Sequence, residues 1–169
     1  MRITSLLVLL TLSLVPSASA EQLHSTNDAG DLAVEIVVSP TKDFIHDWIS
    51  KPANKAIHIT RVRTIVPDQT VYAACLVSGH RADAKQFYNF SVSWRLLKAD
   101  GAVVIEQKNF ADGNRLMPKR PSFVMAEPAL DLTLDSTDRL GKYTLEATVE
   151  DKVAGTSSTA VYNFNLVKN

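Results

Sequence analysis

The sequence predicts an all-β domain, an antiparallel β-sandwich of about eight strands with one short helix near its N-terminus. One observation behind this prediction is that apolar residues alternate with polar ones through most of the chain, which is the period of a half-buried strand. Another is that the alternating stretches are short and are separated by turns that contain Gly, Asp or Pro. Short strands joined in this way are typical of two antiparallel sheets that enclose one core.

The first 20 residues have the pattern of a secretory signal peptide. Arg2 provides a charged start, a largely apolar run extends from Leu6 to Val15, and small residues fill positions 18–20. The run is too short for a membrane span, which needs about 20 apolar residues. We therefore expect residues 1–20 to be removed and the protein to be exported from a bacterial cell, either to the periplasm or into the medium.

The rest of the chain is expected to consist of a flexible lead-in, residues 21–30, and a single β-sandwich domain, residues 31–169. The lead-in is polar and has no hydrophobic period. The domain opens with a strand in which four apolar residues alternate with other side chains: Leu32, Val34, Ile36 and Val38. No stretch after the signal peptide approaches the length of a membrane span, so we expect none.

A short helix is predicted from Pro40 to about Ser50. Ser39 is a residue type that caps helices, Pro40 suits the first helical position, and Pro52 prevents the helix from continuing. The apolar residues of this stretch fall on one helical face: Phe44, Ile45, Trp48 and Ile49. The helix is therefore expected to pack on the edge or the end of a sheet.

Further strands are predicted along the middle of the chain. One places Ile57, Ile59 and Arg61 on one face, and another, from Gln69 to Ser78, is apolar on both faces and is therefore expected to be central in its sheet. The clearest alternation belongs to Tyr88, Phe90, Val92, Trp94 and Leu96, and a turn at Asp100 and Gly101 leads to a partner strand.

The segment 109–128 contains Gly113 and three prolines and is predicted to lack regular structure. A strand at Leu130 to Leu134 follows it. A closing hairpin is predicted from two alternating runs, one from Tyr143 to Val149 and one from Ala160 to Leu166, with a turn between Lys152 and Gly155.

The last third of the chain resembles the closing hairpin of bacterial immunoglobulin-like sandwich domains. The resemblance lies in the stretch from Asp138 to Leu145, in Val149-Glu150-Asp151 with Gly155, and in the final Phe164-Asn165-Leu166. It implies an immunoglobulin-like fold in which Tyr143 forms a tyrosine corner, with its hydroxyl bonded back to the backbone. More loosely, the mature chain is similar to small exported proteobacterial proteins of uncharacterised function.

Composition excludes several classes of function. The 169 residues carry 18 Lys and Arg against 18 Asp and Glu, and removal of the signal peptide removes only the cation Arg2. Such a balance lacks the basic surplus of a nucleic-acid-binding protein, so no nucleic-acid partner is expected. A single cysteine excludes an intramolecular disulfide and a cysteine-rich zinc site.

The residue types that could perform chemistry are present but are not arranged in a recognisable motif. Cys75 is in step with the apolar residues of its strand, which predicts a buried core residue, with a disulfide between two copies as the alternative. The four histidines show no zinc-binding spacing: His24, His46, His58 and His80. We therefore predict no catalytic residue, no metal site and no cofactor.

Acidic residues near two turns are candidate calcium ligands. Asp135 and Asp138 lie close together, but the spacing of an EF-hand is absent. Turn formation explains them more simply, because Asp and Ser side chains bond to their own backbone.

The connection from Arg115 to Met125 is the candidate partner-binding segment. It combines cations, methionines and an aromatic residue with prolines that restrict its motion: Arg115, Met117, Lys119, Arg120 and Phe123 are the predicted contact residues. The alternative is a crossover whose apolar residues close one end of the sandwich.

The leading hypothesis from the sequence is an exported, non-catalytic binding or structural module that recognises a protein or a component of the cell envelope. Either an exposed strand edge or a loop could make the contact. Two alternatives remain open at this point: a small envelope enzyme or enzyme inhibitor, and a periplasmic metal-binding carrier. An enzyme would need His58 or His80 beside Cys75, or beside paired carboxylates, in a concave pocket.

Overall fold

The structure is a computed structural model that describes residues 31–52, 55–117 and 123–168. The predicted signal peptide and lead-in lie outside the described residues. The described chain contains one α-helix and nine β-strands, which are β1 (Ala33–Ser39), α1 (Asp43–Ser50), β2 (Thr64–Ile65), β3 (Thr70–Ser78), β4 (Phe87–Lys98), β5 (Val103–Leu116), β6 (Val124–Met125), β7 (Leu130–Thr133), β8 (Gly141–Asp151) and β9 (Thr156–Leu166).

The strands form two sheets, so the prediction of an all-β chain with one helix is confirmed. In the four-stranded sheet β3 is central, with β1 on one side and both β6 and β7 on the other. The five-stranded sheet has the order β2-β9-β8-β4-β5. Its pairings are antiparallel except for β2, which runs parallel to β9.

The two sheets contribute to one main core. Strand β4 alternates as predicted, and its buried residues include Phe90, Val92 and Trp94. The same core contains Tyr143 from β8 and Val71 from β3, which belong to different sheets. The alternation read from the sequence therefore identified the inward faces of both sheets correctly.

A second, smaller core lies on the opposite face of the four-stranded sheet. Its buried residues come from β1, α1, β3 and β6: Val37, Phe44, Ala74, Leu76 and Met125. Helix α1 covers this face, which explains why β1 and β3 carry apolar residues on both sides. The central position predicted for the strand ending at Ser78 is confirmed.

The predicted helix was wrong in its start, in one residue of its face and in its position, because it packs on a face of the four-stranded sheet rather than on an edge or an end. It begins at Asp43 rather than at Pro40, and Lys42 occupies the capping position without a side-chain hydrogen bond to the helix. Ser39 is instead the last residue of β1. Ile49 is 65% exposed, whereas Phe44, Ile45 and Trp48 of the same predicted face belong to or pack against the second core.

Two other predictions about the middle of the chain were also wrong. Residues 56–62 belong to neither sheet, although a strand was predicted there, and Arg61 is exposed. Residues 109–128 are not irregular throughout, since β5 continues to Leu116. A backbone with positive φ at Asn109 accommodates a register shift in the pairing with β4, and the strand then resumes.

Gly113 permits the second half of β5 to pair with β4. A Cβ atom at this position would lie 2.3 Å from Cζ of Phe90, whose ring is fully buried. The glycine was read from the sequence as a break, but its role is to let the strand approach an aromatic ring.

Within the described residues, no helix has the length and the apolar content needed to cross a membrane.

Candidate functional site

Residues at the end of β5, the start of β6 and the end of α1 surround a cavity of about 540 Å³. Arg115 and Leu116 line it from β5, Phe123 lines it just before β6, and Trp48 and Ile49 line it from the helix. The structure thus brings two of the predicted contact residues, Arg115 and Phe123, to one concavity. Ligand sites in proteins are typically concave and of this order of size.

A second cavity of about 480 Å³ adjoins the first. Trp48 and Phe123 line both, and the second is completed by five residues that follow helix α1 in the chain: Lys51, Pro52, Lys55, Ile57 and Ile59. We call the two cavities together the Trp48–Phe123 groove. Sequence reasoning missed most of it, because its walls come from chain segments that are distant in the sequence.

Large apolar side chains are exposed along this groove. Ile49 is 65% exposed, Leu116 is 61% exposed and Phe123 is 44% exposed. Phe87, also exposed, is the direct partner of Leu116 in the pairing of β4 with β5. A group of exposed apolar residues at one place on a surface is typical of an interaction site, whereas single exposed apolar residues are common everywhere.

Backbone pairing and one ion pair hold the β5 side of the groove. The backbone N–H groups of Asp112 and Glu127 donate to each other's carbonyl oxygens, at 2.9 and 3.0 Å, and connect β5 to the chain after β6. Arg115 Nη2 donates to Glu127 Oε2 at 2.6 Å. This ion pair is exposed and contributes little stability, but it fixes the orientation of the guanidinium at the mouth of the groove.

Of the remaining predicted contact residues, Met117 does not line the groove. Met117 is half-buried against the main core, and its N–H donates to the carbonyl of Gln86 at 2.7 Å. Lys119 and Arg120 lie outside the described residues. Of the five predicted residues, the structure therefore places two in the groove and one against the core.

Cys75 lies in the main core, as predicted. It is 1% exposed, and burial raises the pKa of its thiol to about 12. A thiol nucleophile needs an accessible position and a lowered pKa. Cys75 has neither property, so it is a packing residue of β3.

No described histidine forms a hydrogen bond with Cys75, and His24 lies outside the described residues. His46 and His58 are exposed, on α1 and on the segment 56–62 respectively. His80 is buried against the rings of Tyr88, at 4.7 Å between centroids, and Phe90, at 5.8 Å. Neither of its ring nitrogens has a hydrogen-bond partner within the described chain. Burial lowers the pKa of His80, and the charge of Asp151 partly opposes this effect.

Asp151 is buried, and its hydrogen bonds connect two loops. Its carboxylate accepts hydrogen bonds from the backbone N–H of Arg81, at 2.7 Å, and of Val153 and Ala154 in the β8–β9 turn. A buried carboxylate is tolerated where several donors face it, so these bonds account for its position.

The acidic residues considered as calcium ligands form a turn. Thr137 donates to Asp135 Oδ1 through both its N–H and its hydroxyl, and the N–H of Asp135 donates to Asp138 Oδ2. These bonds lower the pKa of Asp135. The part of the chain that the structure describes contains no group of three His, Cys, Asp or Glu residues able to hold a metal ion.

Comparisons with known proteins do not show a family for this chain. No family model matches the sequence, and no curated protein matches it. Among solved structures, the chain is similar to a family 123 glycoside hydrolase from Clostridium perfringens whose structural analysis concerns glycolipid glycan hydrolysis, with a TM-score of 0.44, 12% identity and 81% of this chain covered. The match spans 28% of the hydrolase chain.

Proposed function

We propose that this chain is an exported, non-catalytic binding module with an immunoglobulin-like sandwich fold, and that it recognises a protein or a cell-envelope component through the Trp48–Phe123 groove. The observation that carries the proposal is the concentration of exposed apolar side chains in one concavity. When a partner covers exposed apolar side chains of this kind, their removal from water favours the complex.

The immunoglobulin-like part of the proposal is supported by the two sheets with a common core and by Tyr143. The hydroxyl of Tyr143 donates to the carbonyl oxygen of Arg139 at 2.8 Å, four residues earlier in the chain. This is the backbone hydrogen bond that the resemblance to immunoglobulin-like domains led us to expect. Export is supported by the signal-peptide pattern of residues 1–20.

The non-catalytic part is supported by the positions of the groups that could do chemistry. Cys75 is enclosed in the main core with a raised pKa, and His80 is buried against Tyr88 and does not line the groove. The second cavity is lined by aromatic, aliphatic and cationic side chains, whereas the polar residues Asp112, Asn114 and Glu127 also line the first. Aromatic residues such as Trp48 and Phe123 are enriched at protein interfaces, which suits contact with a partner.

The test is a photocrosslinking comparison in the native host. Benzoylphenylalanine is placed at position 116, where Leu116 is 61% exposed beside the groove, or at position 161, where Val161 is 55% exposed on β9. We expect a discrete adduct from position 116 and none from position 161. Equal adducts from both positions, or an adduct from position 161 alone, would place the recognition surface elsewhere. Digestion of the adduct with protease or glycosidase identifies the partner as protein or glycan.

A further inference from the structure

The segment 56–61 has the side-chain pattern of a strand, but its backbone is not paired with a strand among the described residues. Ile57 and Ile59 are half-buried and line the groove, whereas the residues that alternate with them, His58 and Thr60, are exposed. The segment contains no helix, turn or bend. It therefore presents its side chains as a β-strand does, on two opposite faces.

The backbone of residues 56–61 makes no hydrogen bond with other backbone groups among the described residues. Both flanks are held: the N–H of Lys55 donates to the carbonyl of Pro52 at 2.9 Å, and the N–H of Val62 donates to the carbonyl of Val38 at 3.0 Å. The donors and acceptors between these two flanks have no backbone partner in the part of the chain that the structure describes. An unpaired strand edge of this kind is a template on which another extended chain can form a ladder of hydrogen bonds.

The open edge of β5 is less suited to this role. A register shift at Asn109 distorts that edge, and Glu106 and Lys108 are exposed beside it. Bulges and charges are the devices by which proteins protect an edge strand from pairing with other chains. The segment 56–61 has no bulge, and its one cation, Arg61, is held in an ion pair with Glu35.

The groove adjoins this segment on the side of its apolar residues. Directly opposed residues of paired strands project from the same face of the sheet, so alternate side chains of an added strand would face the cavity beside Ile57 and Ile59. Phe123 and Trp48 line the same cavity, and Lys51 and Lys55 are at its margin. Lys51 is paired with Asp47 at 2.5 Å, while Lys55 has no ion pair with any described residue. The margin thus favours an acidic side chain.

We propose that residues 56–61 bind an extended peptide as an added β-strand, with an apolar side chain of the peptide in the Trp48–Phe123 groove and an acidic side chain near Lys55. This inference rests on the proposed function, because it names the chemistry of the partner for the same groove. A protein partner with an exposed, alternating and acidic terminal or loop segment fits these requirements.

The experiment selects ligands from a random library of linear ten-residue peptides, with the full mature chain as the target. The tightest peptides are synthesised with a fluorescent label, and Kd is measured by fluorescence anisotropy. Each peptide is also made in two N-methylated forms. One form is methylated at the backbone amides of the odd-numbered residues, and the other at those of the even-numbered residues. In an added strand only one set of N–H groups faces the segment, so we expect one form to lose at least about tenfold in affinity and the other to change little.

Protein variants locate the site. Lys55→Glu and Phe123→Ala are expected to weaken binding about tenfold or more. The matched controls Lys168→Glu and Val161→Ala also alter exposed residues and are expected to bind normally. Hydrogen exchange should show slower exchange at residues 56–61 when the peptide is bound.

The outcomes separate this inference from the proposed function. If the peptides bind Phe123→Ala more weakly but both methylated forms keep the affinity of the unmethylated peptide, strand addition is overturned. The groove would then remain the recognition site. Strand addition would also be overturned if the selected peptides bound Phe123→Ala and Lys55→Glu with unchanged Kd, or if the selection yielded no peptide. The crosslinking at position 116 then decides the proposed function independently.

Discussion

The hairpin of β8 and β9 and the segment 56–61 both alternate their side chains between two faces, but in the described chain only the hairpin pairs its backbone. Strands β8 and β9 are paired without interruption from Gly141 opposite Leu166 to Asp151 opposite Thr156. Residues 56–61 have no backbone partner in the described chain. Alternation therefore reports which side chains meet a core, whereas pairing depends on a neighbouring strand that can come from the same chain or from another.

The two regions also differ in how completely their side chains are buried. The hairpin contributes fully buried residues such as Tyr143 and Leu145 to the main core. The groove beside the segment is lined by residues that keep a large exposed fraction, such as Ile49 and Phe123. Burial supplies stability roughly in proportion to the apolar area removed from water. Substitutions in the first region should therefore reduce folding stability, and those in the second should mainly reduce binding.

The two tryptophans give the largest expected contrast. Trp94 is 1% exposed in the main core, and Trp94→Ala is expected to lower the free energy of unfolding by about 3–5 kcal/mol. Trp48 is half-buried at the groove, and Trp48→Ala is expected to cost less than about 2 kcal/mol. Urea unfolding followed by circular dichroism measures both. Should Trp94→Ala not fold, Trp94→Phe gives a measurable substitute, and equal losses at the two positions would contradict the contrast.

Gly113→Ala is expected to destabilise the protein by about 1–3 kcal/mol, because the added methyl group meets the buried ring of Phe90. The control is a double-mutant cycle with Phe90→Leu, measured by the same urea unfolding. The smaller side chain makes room for the methyl group, so the loss in the double variant should be smaller than the sum of the two single losses. Additive losses would show that the two residues do not restrict each other.

Much of the paired region could be predicted from the sequence. The alternation of β3, β4, β8 and β9, the buried position of Cys75 and the Tyr143 hydrogen bond all follow from local patterns or from the resemblance in the last third of the chain. The second half of β5 could not, because Asn109 and Gly113 are typical loop residues in the sequence. Their roles depend on contacts with β4 that exist only after folding.

The groove was predictable only in part. Arg115 and Phe123 were identified because they belong to a long connection rich in cations and apolar residues. Trp48 and Ile57 were not identified, because each had a simpler interpretation within its own helix or strand pattern, and no sequence pattern singled out Lys55. A local pattern cannot show that a strand-like segment will find no partner, since that depends on the positions of all the other strands.

His80 provides a pH-dependent test of the main core. It faces Tyr88, Phe90 and the carboxylate of Asp151, and burial lowers its pKa in the folded state. The unfolded chain therefore takes up a proton first, at about pH 6.5, so stability is full above that pH and falls as the pH is lowered through and below it. One proton limits the slope to about 1.4 kcal/mol per pH unit. Urea midpoints between about pH 7.5 and 5.5 should show this fall.

The control for this prediction is His80→Phe, which retains a ring but cannot take up a proton. It should reduce the fall in stability over the same pH range. An unchanged pH profile in the variant would assign the fall to other groups and would show that the burial of His80 does not affect stability in that range.

The smallest expected effect separates two tyrosines that each donate one hydrogen bond to a backbone carbonyl. Tyr143 bonds to Arg139 within its own loop, and Tyr162 bonds to Val62 at the end of the unpaired segment, at 2.5 Å. Phenylalanine at either position should cost about 0.5–1.5 kcal/mol. Hydrogen exchange distinguishes them: Tyr162→Phe should speed the exchange of residues near Val62, and Tyr143→Phe should not. Unchanged exchange in Tyr162→Phe would mean that the bond from Val62 N–H to Val38 and the half-buried isoleucines hold the segment extended without help from β9.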